Sequence, residues 1–517
     1  MSTSRSPQPP DAPHQPSPRT APLHFGQQRK IAKDLLRAAA AGSPEALARL
    51  RAVRTDAGEP ARELKLADAQ LAVAREAGFP SWPKLVAGLK ERDLAAFRDA
   101  VRRRDLPQVA RLLAEPHVRA RVNDPRFEFG QRAAHVAAKD RALLALLLDA
   151  GADPNLPSDW QNGPYTVLDG ADEPTARFLL SRGATLTPNV AARLGWFAEL
   201  AAMLRATPSL VHARGGDGQT PLHEAQTQAI ADLLLDLGAD IDARCIDHRS
   251  TPAQYALADR PEIARHLLHR GAIPDIFMAA RLGDLALAER LLEADPAAAA
   301  AQVNEPGYAP VPPFHIYCWS LGFGASPHAV AKKYGHEAVG ALLTARSSPR
   351  VLLRTALFAN DARRARALVA SDPTLVSSLS RAEHGQLAQA IFHEAFDAAH
   401  LMLDLGFDPG APGVDGGAAQ HAACWVGNLR LVERILELGA VAIDAPDPTH
   451  QSPPLGWTAY GSVHRRSPGG DYLAVAQRLV AAGADIRATG NLHGRTLIEM
   501  ANGNPEMQEA LRRLGAL

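Results

Sequence analysis

The amino-acid sequence predicts an all-α fold in which short helix pairs repeat along the chain as a solenoid. Two bulky apolar residues recur four and three positions before a glycine that closes a helical pattern. Successive glycines are 32, 55, 33, 135, 33 and 44 residues apart. A recurring period of 32 or 33 residues indicates stacked helical repeats, with insertions or divergent units in the longer intervals. The seven glycines of this frame are Gly151, Gly183, Gly238, Gly271, Gly406, Gly439 and Gly483.

The segment before the repeats differs from them in composition. Residues 1–27 contain seven prolines and few apolar groups to offset the entropy of ordering, which predicts a disordered tail. Composition does not distinguish an idle tail from a signal for export as an effector. Residues 28–95 show longer helical patterns. Because a repeat array must end in a cap with a polar outer face, we interpret them as a helical N-terminal cap, with an independent functional domain as the alternative.

One stretch shows most clearly how a unit is built. Ile230, Leu233, Leu234 and Leu237 fall at positions i, i+3, i+4 and i+7, which predicts one apolar stripe on a short helix. Such a stripe is stable only when a neighbouring helix covers it. Gly238 then ends the helix, because glycine adopts the left-handed backbone conformation without a steric penalty.

A turn and a helix start precede this stripe. Asp217 and Gly218 predict a tight turn, Thr220 can cap a new helix, and Pro221 suits the first helical position. The run Thr-Pro-Leu-His-x-Ala, followed about 15 residues later by Leu-Leu-x-x-Gly-Ala-Asp, closely resembles the ankyrin repeat. The resemblance covers most of residues 98–517 and implies stacked helix pairs that bind protein partners.

Weaker copies of this motif alternate with a degenerate unit type that lacks the turn and ends at a proline. We therefore predict ankyrin-like repeats over 98–301 and 326–517, separated by an aromatic insertion at 302–325. The second array includes an insertion at about 445–470 and ends in a C-terminal cap. Residues 66–83 look like the leader segment that precedes the repeats in a group of bacterial ankyrin proteins.

Composition excludes several classes of partner and compartment. The 56 Lys and Arg residues balance the 56 Asp and Glu residues, so the chain lacks the basic footprint of a nucleic-acid-binding protein. Its three cysteines are far apart, which rules out a disulfide framework and favours a reducing compartment, the cytoplasm. No run of 18 uncharged apolar residues predicts a membrane span, and no Sec-type signal peptide is present.

The sequence contains no established catalytic or cofactor motif. It has no Walker loop, HExxH zinc pair, GxSxG elbow or GxGxxG turn, so we predict neither a cofactor nor a metal. His135, His223 and His421 occupy the fourth position of the ankyrin turn motif, where the resemblance implies hydrogen bonds to neighbouring turns. His336 likewise matches the Gly-His that precedes the second helix of the family, which implies a structural role.

Two insertions depart from the period and are rich in aromatic residues, although only 5% of the residues in the whole chain are aromatic. The first contains Tyr308, Phe314, His315, Tyr317, Cys318 and Trp319. The second contains His450, Trp457, Tyr460, His464, Arg465 and Arg466. Long loops within compact repeats are often functional.

The second insertion also contains a variant of the turn motif, in which Gly456 replaces the histidine. Loss of that side chain predicts a recess lined by Trp457 and by Trp425 of the preceding unit. Nucleophilic use of Cys318 would need a base such as His315 beside a thiol of lowered pKa, which the spacing does not establish. His421, His450 and His464 could converge on a metal, but no ligand spacing supports an ion.

We predict a monomeric, non-enzymatic scaffold that binds an unidentified protein partner through its concave face. The candidate contact residues are Trp425, Trp457, Tyr460, His464, Tyr317, Trp319 and His315, because Trp, Tyr and Arg dominate interface hot spots. Two alternatives stay open. The aromatic residues fill a satellite core beneath each insertion, or they form the pocket of an enzyme or of a protein that binds a small ligand or metal.

Overall fold

The computed structural model describes residues 25–53, 63–303, 314–439, 441–488 and 491–516. The chain divides into two compact units, Met1–Asp247 and His248–Leu517. Most of the predicted tail, residues 1–24, lies outside the described residues. Helix α1 begins at Phe25, so the helical part starts three residues before the predicted boundary at residue 28.

The first unit consists of helices joined by turns, with no strand among its described residues. Its α-helices are α1 (Phe25–Ala40), α2 (Pro44–Arg51), α3 (Leu66–Glu76), α4 (Trp82–Arg103), α5 (Leu106–Leu113), α6 (Pro116–Arg119), α7 (Ala133–Val136), α8 (Arg141–Asp149), α9 (Glu173–Ser181), α10 (Pro188–Arg193), α11 (Phe197–Ala206) and α12 (Gln228–Asp236). Short 3₁₀ helices span Glu128–Gly130, Val167–Gly170, Pro208–His212, Gly216–Gly218 and Pro221–Glu224.

One helix spans the boundary predicted between the N-terminal cap and the first repeat. Helices α1, α2, α3 and the start of α4 surround a core of their own, in which Leu50 and Leu85 are fully buried. Helix α4 then continues without a break to Arg103, across the boundary predicted at 95–98. The sequence has no helix-breaking residue at that boundary. The helix ends only where Arg104 adopts a left-handed conformation with φ 56°.

The segment with the repeat signature differs in two details from the expectation. Its Thr-Pro-Leu-His run forms the 3₁₀ helix Pro221–Glu224, and the side chain of Thr227 then caps α12 by accepting a hydrogen bond from the Ile230 N–H. Ile230 and Leu234 are fully buried, whereas Leu237 lies beyond the helix end and is about half exposed. The predicted apolar stripe is therefore one residue shorter than the pattern suggested.

The second unit repeats the arrangement over more helix pairs. Its α-helices are α13 (Pro252–Ala256), α14 (Pro261–His269), α15 (Ile276–Leu282), α16 (Leu285–Ala294), α17 (Tyr317–Ser320), α18 (Pro327–Lys333), α19 (Glu337–Arg346), α20 (Pro349–Phe358), α21 (Ala362–Ser371), α22 (Arg381–His384), α23 (Gln386–Phe392), α24 (Phe396–Asp404), α25 (Ala419–Trp425), α26 (Leu429–Leu438), α27 (Pro454–His464), α28 (Tyr472–Ala481), α29 (Leu497–Met500) and α30 (Pro505–Leu514). Its 3₁₀ helices are Pro296–Ala300 and Val414–Gly416.

A continuous hydrophobic core runs through the second unit from Leu353 to Leu511. The first helices of successive pairs, α23, α25 and α27, pack side by side, and each also packs against the second helix of its own pair. The approach of α25 and α27 is close, because a Cβ atom at Gly461 would lie 2.6 Å from the carbonyl oxygen of Trp425. This closeness places the aromatic side chains of both helices next to each other.

The glycine frame is confirmed by the backbone. All seven frame glycines follow helix ends with positive φ values between 60° and 102°, a conformation that other residues adopt only with strain. None of the described helices combines the length and the hydropathy that crossing a lipid bilayer requires.

Candidate functional site

A pocket of about 410 Å³ opens in the second unit where the ends of the first helices meet the loops between units. Three successive loops, which precede α25, α27 and α29, supply its rim, and α23, α25, α27 and α29 supply its walls. The pocket is lined by Phe392, Asp415, Trp425, His450, Ser452, Trp457, Tyr460, Asn491, Leu492, His493, Arg495 and Met500.

Four aromatic rings form the walls of this pocket. Phe392 and Trp425 are 33 residues apart and end the first helices of successive pairs, and their rings are nearly parallel, with centroids 6.2 Å apart. Tyr460 stacks on Trp425 with a centroid distance of 6.1 Å. The ring of Trp457 meets Trp425 edge to face at 6.1 Å. Equivalent positions in neighbouring repeats therefore build one aromatic surface.

A buried carboxylate fixes the orientation of Trp457. The indole nitrogen donates a hydrogen bond to Asp447, which also accepts hydrogen bonds from the backbone N–H groups of Thr449, His450 and Ser452. Burial acts to raise the pKa of Asp447, but the hydrogen bonds from the His450 N–H and the Trp457 indole outweigh it and hold the pKa below its ordinary value. Asp447 is therefore ionised at neutral pH and holds the pocket wall in place.

The structure explains why glycine replaces histidine at position 456. In other units the histidine Nδ1 accepts a hydrogen bond from the backbone N–H three residues earlier, as His223 does from Thr220 at 3.0 Å. The corresponding residue in this unit is Pro453, which has no N–H to donate. A Cβ atom at Gly456 would overlap the hydroxyl of Ser452, so the predicted recess is filled at Gly456 itself. The pocket opens beside it, with Trp425 and Trp457 in its wall as expected.

The motif histidines connect successive turns. His421 accepts a hydrogen bond from the Ala418 N–H at Nδ1 and bonds to the Ala445 carbonyl oxygen through Nε2 at 2.9 Å. His135 makes the same pair of contacts, with the Arg132 N–H and the Tyr165 carbonyl oxygen. Burial lowers the pKa of both histidines, so they stay neutral at pH 7. The predicted structural role of these side chains is confirmed.

His336 also bonds to an earlier helix pair of the second unit. Its Nε2 lies 3.1 Å from the carbonyl oxygen of Arg281. Among the described residues, His421, His450 and His464 do not gather into a group that could hold a metal ion. The possibility that these three histidines converge on a metal is therefore not realised in the described part of the chain. His421 is committed to the turn contacts, and the ring of His464 lies against Tyr460 with a centroid distance of 4.0 Å.

The first insertion is described from Phe314 onwards, and Tyr308 lies outside the described residues. Tyr317 is completely buried and donates a hydrogen bond from its hydroxyl to Asp275 at 2.8 Å. His315 is buried beside it, with ring centroids 4.5 Å apart. A partner docking on this structure therefore meets neither side chain. Burial also raises the pKa of Cys318 to about 11, which keeps this thiol protonated.

Trp319 differs from its neighbours in this insertion because 62% of it is exposed. It contacts Phe323 edge to face with a centroid distance of 5.3 Å, and Phe314 packs against both rings. These three residues form a small aromatic patch whose members do not line the pocket at Trp425. The predicted contact residues therefore fall into a pocket group, an exposed patch and a buried pair.

Several residues of the pocket were not predicted from the sequence. Phe392 is one 33-residue period before Trp425, and Asp415 lies in an Asp-Gly turn equivalent to that at Asp217, so the repeat register contained the signal for both. Leu492 and Arg495 belong to the loop of the following repeat. The turn motif of that C-terminal repeat is degenerate, so the sequence did not place these residues in the pocket.

Repeated helix pairs with bridging turn residues define this chain as an all-helical repeat protein over its described residues. The family model of the ankyrin repeat matches residues 217–246, the same segment that carries the complete sequence signature. The chain therefore contains an ankyrin repeat at residues 217–246. No curated protein sequence matches it.

Proposed function

We propose that this protein is a scaffold that binds a protein partner through the concave face of an ankyrin-type solenoid, with the aromatic pocket of the second unit at the centre of the contact. The pocket is the observation that supports this function best. Its walls are held by the packing of α23, α25 and α27 and by the Asp447 hydrogen bonds, so little entropy is lost when a partner docks.

The composition of the pocket matches that of an interface hot spot. Tryptophan and tyrosine are the residues whose truncation most often costs binding energy, and they act best in desolvated recesses surrounded by neutral contacts. Here Trp457 is buried, Trp425 is half buried, and Tyr460 and Leu492 remain 39% and 64% exposed. A partner side chain entering the pocket would cover the exposed apolar surface of the last two residues.

The volume of the pocket supports a second candidate function. About 410 Å³ falls within the range of sites for small organic ligands, which are also lined by aromatic side chains and a few polar groups. The chain would then be a binding protein for a small molecule. A thermal shift with a metabolite panel tests this reading, because a ligand that binds the native state raises Tm by mass action.

The proposed scaffold function is tested by capture of partners from a lysate of the native host. The double variant Tyr460→Ala with Leu492→Ser removes the exposed apolar surface of the pocket and leaves the buried wall intact. Leu438→Ser is the matched control, because it removes an exposed leucine from α26, outside the pocket. We expect the pocket variant to lose about tenfold or more of the captured partner and the control to retain it.

Circular dichroism must show unchanged helix content in both variants. Retention of the same partners by the pocket variant would refute a contact at this site.

A further inference from the structure

Two carboxylates lie at the aromatic walls of the pocket, and the proposed scaffold function does not account for them. Asp415 contributes a carboxylate to the rim and lies 4.0 Å from the Nε2 of His450. Directly behind the Trp457 wall lies the ionised carboxylate of Asp447, which accepts the indole hydrogen bond. A carboxylate bound at the indole nitrogen enriches the ring in electron density and so strengthens the attraction of its face for a cation.

The same aromatic surface already holds a cation at its other end. The guanidinium of Arg465 lies over the ring of Phe392, 5.9 Å from its centroid, and pairs with Glu394 at 2.7 Å. One ring, one carboxylate and one cation are thus assembled within the chain. At Trp425, Trp457 and Tyr460 the rings and the carboxylate of Asp415 are present, but among the described residues no lysine or arginine covers these three rings.

We propose that the pocket receives an organic cation, an alkylated ammonium or a guanidinium group, between the rings of Trp425, Trp457 and Tyr460 and the carboxylate of Asp415. This inference rests on the proposed scaffold function, and it identifies the partner contact as a cationic side chain. Aromatic rings bind such groups through their electron-rich faces, and a low-dielectric pocket strengthens the attraction.

The positive charge of Arg495 opposes the binding of a cation in the pocket. Removing this charge therefore tests whether the bound group is cationic. It lines the pocket but is exposed, and no carboxylate among the described residues pairs with it. Its long side chain can turn towards water, whereas Asp415 belongs to the short 3₁₀ helix Val414–Gly416. Removing the charge of Arg495 should strengthen the binding of a cation, and removing that of Asp415 should weaken it.

The charge requirement is tested with two probes of equal shape. Choline carries a trimethylammonium group, and 3,3-dimethylbutan-1-ol carries the neutral carbon equivalent. Titration of the full-length protein, followed by tryptophan fluorescence and by calorimetry, should show choline binding about fivefold more tightly than the alcohol. Equal or weaker binding of choline would overturn the proposal.

Three variants locate the site of binding. Asp415→Asn should weaken choline binding about threefold or more, and Arg495→Gln should strengthen it by a similar factor. Glu437→Gln is the matched control, because it removes an exposed carboxylate from α26, outside the pocket, and should change nothing. The proposal would also be contradicted if Asp415→Asn left the affinity for choline unchanged, or if Arg495→Gln lowered it.

Two further probes distinguish a partner side chain from a free small cation. They are synthetic nonapeptides that differ only at the central residue, trimethyllysine in one and neutral norleucine in the other. Tighter binding of the trimethyllysine peptide than of choline supports a protein partner, and the reverse order supports a free quaternary ammonium compound. If no cation binds while Tyr460→Ala with Leu492→Ser still abolishes capture, the cation inference fails and the scaffold function stands.

Discussion

The indole nitrogen of Trp457 donates a hydrogen bond of 2.9 Å to the carboxylate of Asp447. The two residues are ten positions apart, one in the loop before α27 and one within that helix. The same carboxylate accepts backbone hydrogen bonds from its own loop. One side chain therefore fixes both the loop and the pocket wall.

Replacing Asp447 with Asn should destabilise the second unit. The amide has one acceptor oxygen in place of two, so at least one buried N–H group loses its partner, and the charge-assisted character of the remaining bonds is lost. We expect a loss of about 2–4 kcal/mol in the free energy of unfolding, measured by urea denaturation. Asp444→Asn is the control, because the more exposed Asp444 accepts a hydrogen bond from a single backbone N–H group, that of Asp485. A loss below 1 kcal/mol for Asp447→Asn would contradict this role.

The buried His328 should make stability depend on pH in a defined window. Burial, with the positive charges of Arg354 and Arg364, lowers the pKa of His328 to about 4. Between pH 6.5 and 4, His328 is therefore protonated in the unfolded chain but neutral in the native chain. The free energy of unfolding falls as the pH is lowered through this window. The contribution is about 2 kcal/mol between pH 6.5 and 4.5.

The variant His328→Gln isolates this effect. Its free energy of unfolding should fall less steeply from pH 6.5 to 4.5 than that of the unmodified protein, whatever its stability at pH 7. Urea denaturation at several pH values measures both slopes. Equal slopes would show that His328 titrates normally in the folded chain.

The three cysteines should be inert in the folded protein. All are buried, and burial raises the pKa of Cys318 to about 11 and that of Cys424 to about 12. Because the thiolate is the reactive species, a thiol reagent at pH 8 should modify the native chain about a hundredfold more slowly than the chain in urea. Rapid labelling that disappears in Cys318→Ser would instead reveal an accessible thiol beside His315.

Gly456 and Ser452 should be energetically coupled. Alanine in a helix is favoured over glycine by about 0.5–1 kcal/mol, but a Cβ atom at position 456 would overlap the Ser452 hydroxyl. That hydroxyl is buried and makes no hydrogen bond to any described residue, so Ser452→Ala should cost little or stabilise the protein. We expect Gly456→Ala to be stabilising only in the Ser452→Ala background. A double-mutant cycle of Tm and urea midpoints measures the coupling, and additivity would argue against the overlap.

The parts of the pocket that follow the repeat period could be predicted from the sequence. The turn motif aligns Gly456 with His421 and therefore Tyr460 with Trp425, 35 residues apart, and the two rings do stack. The 33-residue period applied one repeat earlier reaches Phe392. Position in a repeat determines which side chains become neighbours, because equivalent residues of stacked helices lie side by side.

The irregular segments could not be predicted in the same way. Tyr317 is buried because its hydroxyl donates a hydrogen bond to Asp275 and its ring packs edge to face against Phe277. Both partners lie about 40 residues earlier in the chain. No periodicity connects these residues, so the sequence left open whether the aromatic residues of the insertion form a contact surface or a satellite core. Among the described residues, His315 and Tyr317 belong to the core and Trp319 is exposed. The bond from Trp457 to Asp447 was missed for the same reason, since the loop geometry that brings them together has no signature in composition.

The missing N–H of Pro453 has an evolutionary consequence. A histidine at position 456 would lack the hydrogen bond at Nδ1 while proline stays at 453, and an N–H at 453 would lack its usual acceptor while glycine stays at 456. The two sites form a compensating pair, so substitutions should be accepted together or not at all. Homologues that restore histidine at 456 should therefore also lack proline at 453, and their lineage would date the origin of the aromatic pocket.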